Sequence, residues 1–141
     1  MIFHLQKLLY EEVNRMKKVL AHGTFDIVHY GHARYLERAK KYGDYLIVYV
    51  TSDRLAKEKG KNPYFNEEIR MKMISSFKVV DEVILRDSEI TPQMLEDLQI
   101  DVMVTTTHYF DYLKDSCKIV HIERTEGISS TMIKEHLLEE K

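Results

Sequence analysis

The chain has 141 residues, 44% hydrophobic and 31% charged, enough for one domain with a buried core. Lys and Arg number 21 against 23 Asp and Glu, a net charge of −2; no global positive field points to nucleic acid, so any anion site must be local. The single cysteine, Cys117, excludes an internal disulfide framework and fits a reducing compartment. The longest apolar run, Tyr45 to Val50, is far short of the roughly 20 residues of a membrane span. No secretory segment opens the chain, and the expected localisation is cytoplasmic.

Ile2, Leu5, Leu8, Leu9 and Val13 recur at helical spacing, with Glu11, Glu12 and Arg15 outside the stripe, which predicts an amphipathic helix over 1–15. Met16-Lys17-Lys18 reads as an internal start, so this extension is peripheral to a main domain at 16–141. Its expected role is to pack across that domain or against a partner subunit, and a homodimer is expected. Strands and helices then alternate: a strand near 17–22, a helix from about 30 to 42, and a strand at 44–51. The run 45–50 lacks polar alternation, as in a strand covered on both faces of a parallel sheet. Gly43 stands where a C-cap glycine belongs.

A charged loop with Lys57, Lys59, Gly60 and Lys61 follows. Asn66 is placed as the N-cap of a helix reaching about Phe77, with Glu67 and Glu68 in its first turn. A third strand fits 82–86. Thr91-Pro92 caps a short helix to about Leu98, two further strands fit 101–105 and 118–122, and Ser129-Ser130-Thr131 open a last helix to the C-terminus. This alternation predicts an α/β fold, a doubly wound parallel sheet of five strands with helices on both faces. In such a sheet the ligand lies beyond the carboxyl ends of the strands, where strand order reverses.

The first strand runs directly into His22-Gly23-Thr24-Phe25-Asp26-Ile27-Val28-His29-Tyr30-Gly31-His32. Gly23 lets the backbone turn and approach a ligand, and the following helix points its N-terminal amides and dipole at that turn, which favours a phosphate. His29 and His32 share a helix face and can donate hydrogen bonds to phosphoryl oxygens. The plainer readings are a structural pair or part of a metal site; zinc wants three or four ligands and no third lies nearby in sequence, so no metal site is expected. A second anion site forms at Arg124-Thr125-Glu126-Gly127-Ile128-Ser129-Ser130-Thr131, where hydroxyls and amides gather at a helix start beside a guanidinium fork. There is no Gly-x-Gly-x-x-Gly and no P-loop, which argues against a dinucleotide dehydrogenase or a kinase.

Gly-Thr-Phe-Asp followed by His-Tyr-Gly-His resembles the signature of the cytidylyltransferase-like nucleotidyltransferases. Arg124 to Thr131 resembles the C-terminal signature of the glycerol-3-phosphate, phosphocholine and phosphoethanolamine cytidylyltransferases, with Ser130 where the family has Thr. The middle, with Ser52-Asp53, Lys59-Gly60-Lys61 and Glu68-Ile69-Arg70-Met71, is similar to the adenylyltransferases that make ADP-heptose or FAD. The resemblance implies a Rossmann-like fold and transfer of a nucleotide from CTP or ATP to a phosphorylated alcohol, with pyrophosphate released. It implies catalytic roles for His29, His32, Arg124 and Thr131, and nucleotide contacts from these and from Gly23, Thr24, Phe25, Gly127, Ile128, Ser129 and Ser130. It also implies substrate contacts from Lys57, Lys59 or Lys61 and from Arg70, with Mg²⁺ accompanying the triphosphate.

The chain departs from the family after the fourth strand. A Gly-Asp loop that helps read the base is replaced by Thr105-Thr106-Thr107-His108-Tyr109. Stiff β-branched side chains fill that space, with His108 or Tyr109 placed to stack on the base, which predicts loose selection between CTP and ATP. Two alternatives stay open: an ATP-dependent adenylyltransferase acting on a sugar phosphate or FMN, and a nucleotide-binding module without turnover.

Overall fold

The structure, a computed structural model, describes residues 1–139. The predicted run of the last helix to the C-terminus ends outside the described residues, and the side chain of Val13 also lies outside them. Five strands, β1 (Lys18–Gly23), β2 (Tyr45–Thr51), β3 (Glu82–Arg86), β4 (Val102–Thr105) and β5 (Lys118–His121), form one all-parallel sheet in the order β3-β2-β1-β4-β5. β1 lies beside β2 from Lys18↔Tyr45 to Gly23↔Val50 and pairs on its other edge with β4 at Val19↔Val102. Alternation along each strand divides the core. Val19, Ala21, Leu46 and Val48 pack with Leu36 and Ala39 of α2 (Tyr30–Lys40) and Ile74 of α4 (Glu67–Ser75). Leu20, Ile47 and Met103 pack on the opposite face with Leu95 of α5 (Pro92–Asp97) and Leu113. Both faces are covered, which is why β1 and β2 read as unbroken apolar runs.

Local chemistry sets the helix starts. Asn66 accepts from the Ile69 amide at 3.0 Å and Thr91 from the Met94 amide at 3.2 Å, as their positions predict. The segment read as a charged loop begins instead as a short helix, α3 (Asp53–Glu58), capped by Ser52. α3 ends in a Schellman motif: Gly60 is left-handed with φ 77°, and the Lys61 amide donates to the Ala56 carbonyl at 2.9 Å. Gly43 is not the C-cap expected, since α2 ends at Lys40 and its cap is Lys41, with ordinary helical angles. A Cβ at Gly43 would stand 2.6 Å from the Lys17 carbonyl oxygen; glycine is needed there for the close approach of the α2–β2 turn to β1.

The N-terminal helix α1 (Ile2–Arg15) forms, but not packed across the domain: Ile2, Phe3, Leu5, Leu9 and Tyr10 are all well exposed. Among the described residues no helix is long and apolar enough to cross a membrane. The chain moves outward from β1 through β2 to β3, then crosses back to place β4 and β5 on the other side. Strand order reverses between β1 and β4, and a cleft opens beyond their carboxyl ends.

Candidate active site

β1 delivers His22 and Gly23 to that reversal point. A Cβ on Gly23 would stand 3.0 Å from the Phe25 ring, so glycine lets Phe25 fold back over the strand end. The sharp turn itself is made by Phe25 (φ 56°) and Ile27 (φ 48°), both left-handed without being glycine, a strained state that neighbours must hold. Arg70, only 1% exposed, donates to the carbonyls of Thr24 and Thr51 at 2.7 Å each and of Phe65 at 2.9 Å, and pairs with Asp53 at 2.6 Å. Asp26 accepts from the amides of Tyr64 (2.7 Å) and Phe65 (3.1 Å) and pairs with Lys134 at 2.7 Å. Burial pushes the Asp26 carboxyl up, but Lys134 and the two amides outweigh it and hold the group below the usual carboxylate range. The Asp26 carbonyl also accepts from the Ser130 hydroxyl.

The turn feeds α2, whose N-cap is His29. The Nδ1 of His29 accepts from the Gly31 amide at 3.0 Å, and the Nδ1 of His32 accepts from the His29 amide at 3.3 Å. The two rings stack at 3.8 Å between centroids, and Phe25 meets His32 edge-on at 5.3 Å. Since each Nδ1 is an acceptor, each neutral ring carries its proton on Nε2. Burial, then His29 and Arg124, push the His32 pKa down to about 4 against a weak opposing pull from Asp26; burial and Arg124 also lower His29. Both imidazoles are therefore neutral donors near pH 7. A Cβ on Gly31 would come within 2.9 Å of the His29 ring, so the motif's second glycine makes room for the cap.

α6 (Ser130–Glu139) starts across the cleft. Ser129 caps it, accepting from the Met132 amide at 3.1 Å. Arg38 donates to the Glu123 carbonyl at 3.1 Å and Arg34 to the Thr125 hydroxyl at 3.3 Å, so α2 holds the segment that carries Arg124. Arg124 itself makes no hydrogen bond or ion pair among the described residues and lines the cleft. The floor is His22, whose Nε2 lies 2.8 Å from the Thr105 hydroxyl and whose ring meets Phe110 at 4.6 Å. Burial, then Arg86, Lys61 and Lys59, push its pKa down to about 3. The Tyr35 hydroxyl joins β1 to β4 beneath, receiving the His22 amide at 3.1 Å and donating to the Val104 carbonyl at 2.6 Å.

The cleft has a volume of about 680 Å³, the size range of small-ligand sites. The profile of the Cytidylyltransferase-like family matches residues 20–136. The chain belongs to the cytidylyltransferase-like family. This cytidylyltransferase-like chain is 44% identical over 126 residues to "Glycerol-3-phosphate cytidylyltransferase" of Bacillus subtilis, covering 86% of the chain and 98% of that protein. It is 32% identical over 136 residues to "FAD synthase" of Thermoplasma acidophilum, covering 88% and 96%. A solved structure of a lipopolysaccharide core biosynthesis protein from Thermoplasma volcanium superposes with a TM-score of 0.71 at 35% identity, covering 79% of this chain and 99% of that one.

Within this cytidylyltransferase-like site the two sequence motifs meet. Gly23, Thr24, Phe25, His29 and His32 line the cleft from one side, and Arg124, Ile128, Ser129, Ser130 and Thr131 from the other. Gly127 does not line it; with φ 78° it makes the turn into α6. Of the three loop lysines, Lys57 is exposed on α3 and does not line the cleft, and Lys59 lines the cleft but pairs with Glu89 at 2.7 Å. Lys61 lines it with its ammonium unpaired among the described residues; burial, then Arg124, Lys59 and Arg86, lower its pKa. Arg70, expected to contact substrate, does not line the cleft; its guanidinium bonds Thr24, Thr51, Phe65 and Asp53 and clamps the turn.

The wall at 105–110 also differs in detail. Thr106, Thr107 and Tyr109 line the cleft, whereas His108 does not. His108 faces Asp111 at 3.2 Å, and Asp111 in turn meets His121 at 2.9 Å. Sequence reasoning missed His22, Asp26 and Arg86. Asp26 was signalled by its place in the first motif; Arg86 had no local signal, being a charged last residue on an edge strand.

Proposed function

We propose that this protein is a nucleotidyltransferase that joins a nucleotide, from CTP or ATP, to a small phosphorylated alcohol and releases pyrophosphate. The observation that carries this reading is the stacked His29–His32 pair, two neutral Nε2–H donors fixed at the start of α2, facing unpaired Arg124 and the start of α6. A phosphate oxygen of the acceptor attacks the α-phosphorus, and the bond from that phosphorus to the bridging oxygen of the β-phosphate breaks. The imidazoles hydrogen-bond the α-phosphoryl oxygens as charge develops, while Arg124, Ser129 and Thr131 hold the leaving pyrophosphate. Such transfer needs positioning and charge neutralisation rather than a protein nucleophile. Names of relatives make glycerol 3-phosphate the first acceptor to test.

Mg²⁺ accompanies the triphosphate in this reading, but the cleft does not offer a protein cage for it. Among the described lining residues, carboxylates come only from Asp26 and Glu123, and the Asp26 oxygens already accept from Tyr64, Phe65 and Lys134. Oxygens of the triphosphate and water are left to hold the ion. The reading places the enzyme in the cytoplasm as a homodimer; the exposed apolar side chains of α1 support a second copy as partner, which sedimentation with and without residues 1–15 tests.

The testing experiment measures pyrophosphate release with CTP, ATP, GTP and UTP crossed with glycerol 3-phosphate, sugar 1-phosphates and FMN. Release with CTP and glycerol 3-phosphate supports the main reading; ATP with FMN or a sugar phosphate supports the adenylyltransferase reading that the FAD synthase relative suggests. Tight nucleotide binding without release from any pair supports a binding module.

A further inference from the structure

Arg86, the last residue of β3, is 4% exposed yet lines the cleft. Its guanidinium comes to 5.9 Å from the Phe110 ring, and Phe110 packs on His22 at the centre of the cleft floor. One terminal nitrogen donates to the Ser88 carbonyl at 2.9 Å. Its Nε is buried and has no hydrogen-bond partner. Buried donors left unpaired are rare and costly, and the usual completion is a ligand or water. Arg70, buried as deeply, has all three guanidinium nitrogens engaged.

The neighbours of Arg86 make an anion the fitting completion. Lys61 has no hydrogen bond or ion pair from its ammonium among the described residues, and it feels the positive charges of both Arg86 and Arg124. His22 beneath is neutral. Glu89, a carboxylate whose charge reaches Arg86, already pairs with Lys59 at 2.7 Å and accepts from the Tyr109 hydroxyl at 3.1 Å. Arg86, Lys61 and Lys59 against Glu89 leave an excess of two positive charges, gathered where water is partly excluded. An anion there gains charge-assisted hydrogen bonds and relieves the repulsion.

Position assigns the anion. Arg124 and the start of α6 hold the pyrophosphate end of the nucleotide in the function proposed above, on which this inference rests. Arg86 ends β3 and Arg124 follows β5, the two opposite edges of the sheet, and Lys61 feels the charge of both. An in-line displacement brings the attacking phosphate in from the side opposite the leaving group, and Arg86, at the end of edge strand β3, is a buried cleft-lining cation on the side of the sheet away from β5 and Arg124. We infer that Arg86 and Lys61 form a second anion subsite, distinct from the triphosphate site, that binds the phosphate monoester of the acceptor. Glu89, fixed by Lys59 and Tyr109 at its edge, disfavours a second negative charge on that acceptor; the fitting class is a phosphate monoester whose remainder is uncharged, such as a polyol phosphate.

The test is calorimetric titration of the full chain with glycerol 3-phosphate, inorganic phosphate, 3-phosphoglycerate and glycerol, with CTP titrated separately. Wild type, Arg86→Gln, Arg86→Lys and Lys61→Gln are compared, with melting temperatures with and without phosphate. Wild type should bind glycerol 3-phosphate saturably, prefer it to 3-phosphoglycerate and ignore glycerol. Arg86→Gln should weaken glycerol 3-phosphate by about tenfold or more while changing CTP by less than about twofold. Arg86→Lys, which keeps the charge without the fork, should fall between. Phosphate should raise the wild-type melting temperature more than that of Arg86→Gln. Absence of saturable glycerol 3-phosphate binding to wild type overturns the subsite, as does equal binding by Arg86→Gln or Arg86→Lys. Equal losses for CTP and glycerol 3-phosphate would make Arg86 structural and overturn it too. Binding through Arg86 with no pyrophosphate release would leave the subsite standing and remove the proposed reaction instead.

Discussion

The turn between β1 and α2 and the outer end of β3 each bury an arginine, and they use it in opposite ways. Arg70 donates to Thr24, Thr51 and Phe65 and pairs with Asp53, so three pieces of chain converge on one guanidinium. Among the described residues, Arg86 keeps a buried Nε without a partner, and the Lys61 ammonium has none either. A buried polar group whose bonds are all made is scaffold; one whose bonds are incomplete is aimed at something that arrives. The strained turn at Phe25 and Ile27 needs the first kind, because His29 and His32 must be held still.

Removing the first arginine should have the largest effect. Arg70→Met leaves the Thr24, Thr51 and Phe65 carbonyls without their donor, at about 1–3 kcal/mol for each buried acceptor left unsatisfied, whereas Asp53, 46% exposed, can turn to water. Urea denaturation reads this directly; a loss below about 1 kcal/mol would mean that Arg70 does not hold the turn. His32→Ala should keep the fold and lower kcat by about 10²–10³, as for removal of one preorganised transition-state donor. Near-normal kcat would make His32 only a partner in the α2 cap. Arg124→Ala should weaken a nucleoside triphosphate more than the monophosphate, by about 1.5–3 kcal/mol for the lost charge-assisted bonds; equal losses would remove Arg124 from the pyrophosphate.

Titration sharpens the contrast further. His22 and His32 are held near 3 and 4, below the ordinary 6.5. Between those values and about 6.5 the unfolded chain binds more protons than the folded one. The ligand-free protein should therefore be most stable above about pH 6.5 and lose stability as pH falls through that window, and His22→Gln should flatten the slope. A chain that gains stability on acidification from pH 7 to 5 would contradict the buried neutral rings. The smallest expected effect concerns the base: with Thr106 and Thr107 on the wall, CTP and ATP should bind within about tenfold, 1.4 kcal/mol. Titration showing a preference above a hundredfold would overturn loose selection.

The sheet was legible because buried parallel strands cannot alternate: Val19 to Ala21 and Leu46 to Val50 are apolar at every step and sit at the centre. Helix starts at Asn66 and Thr91 were legible because capping is local chemistry. α3 was not, since six residues give too little periodicity, although Gly60 marked its end. At the site, His29, His32 and Arg124 came from contiguous motifs. The roles of Arg70 and Arg86 depend on contacts with Thr24, Thr51 and Phe110, which lie far off in the chain. Residue type and spacing could not tell a clamp from a ligand-facing donor.

The most direct test follows the attacking oxygen. Glycerol 3-phosphate carrying heavy oxygen on its phosphate is incubated with the protein, CTP and Mg²⁺, and the products are resolved by mass spectrometry. If the acceptor's phosphate attacks the α-phosphorus, all of the label ends in a CMP–glycerol phosphate diphosphate product, one labelled oxygen now bridging, and the released pyrophosphate is unlabelled. Label in pyrophosphate, or unlabelled CMP and pyrophosphate with no joined product, would contradict the account.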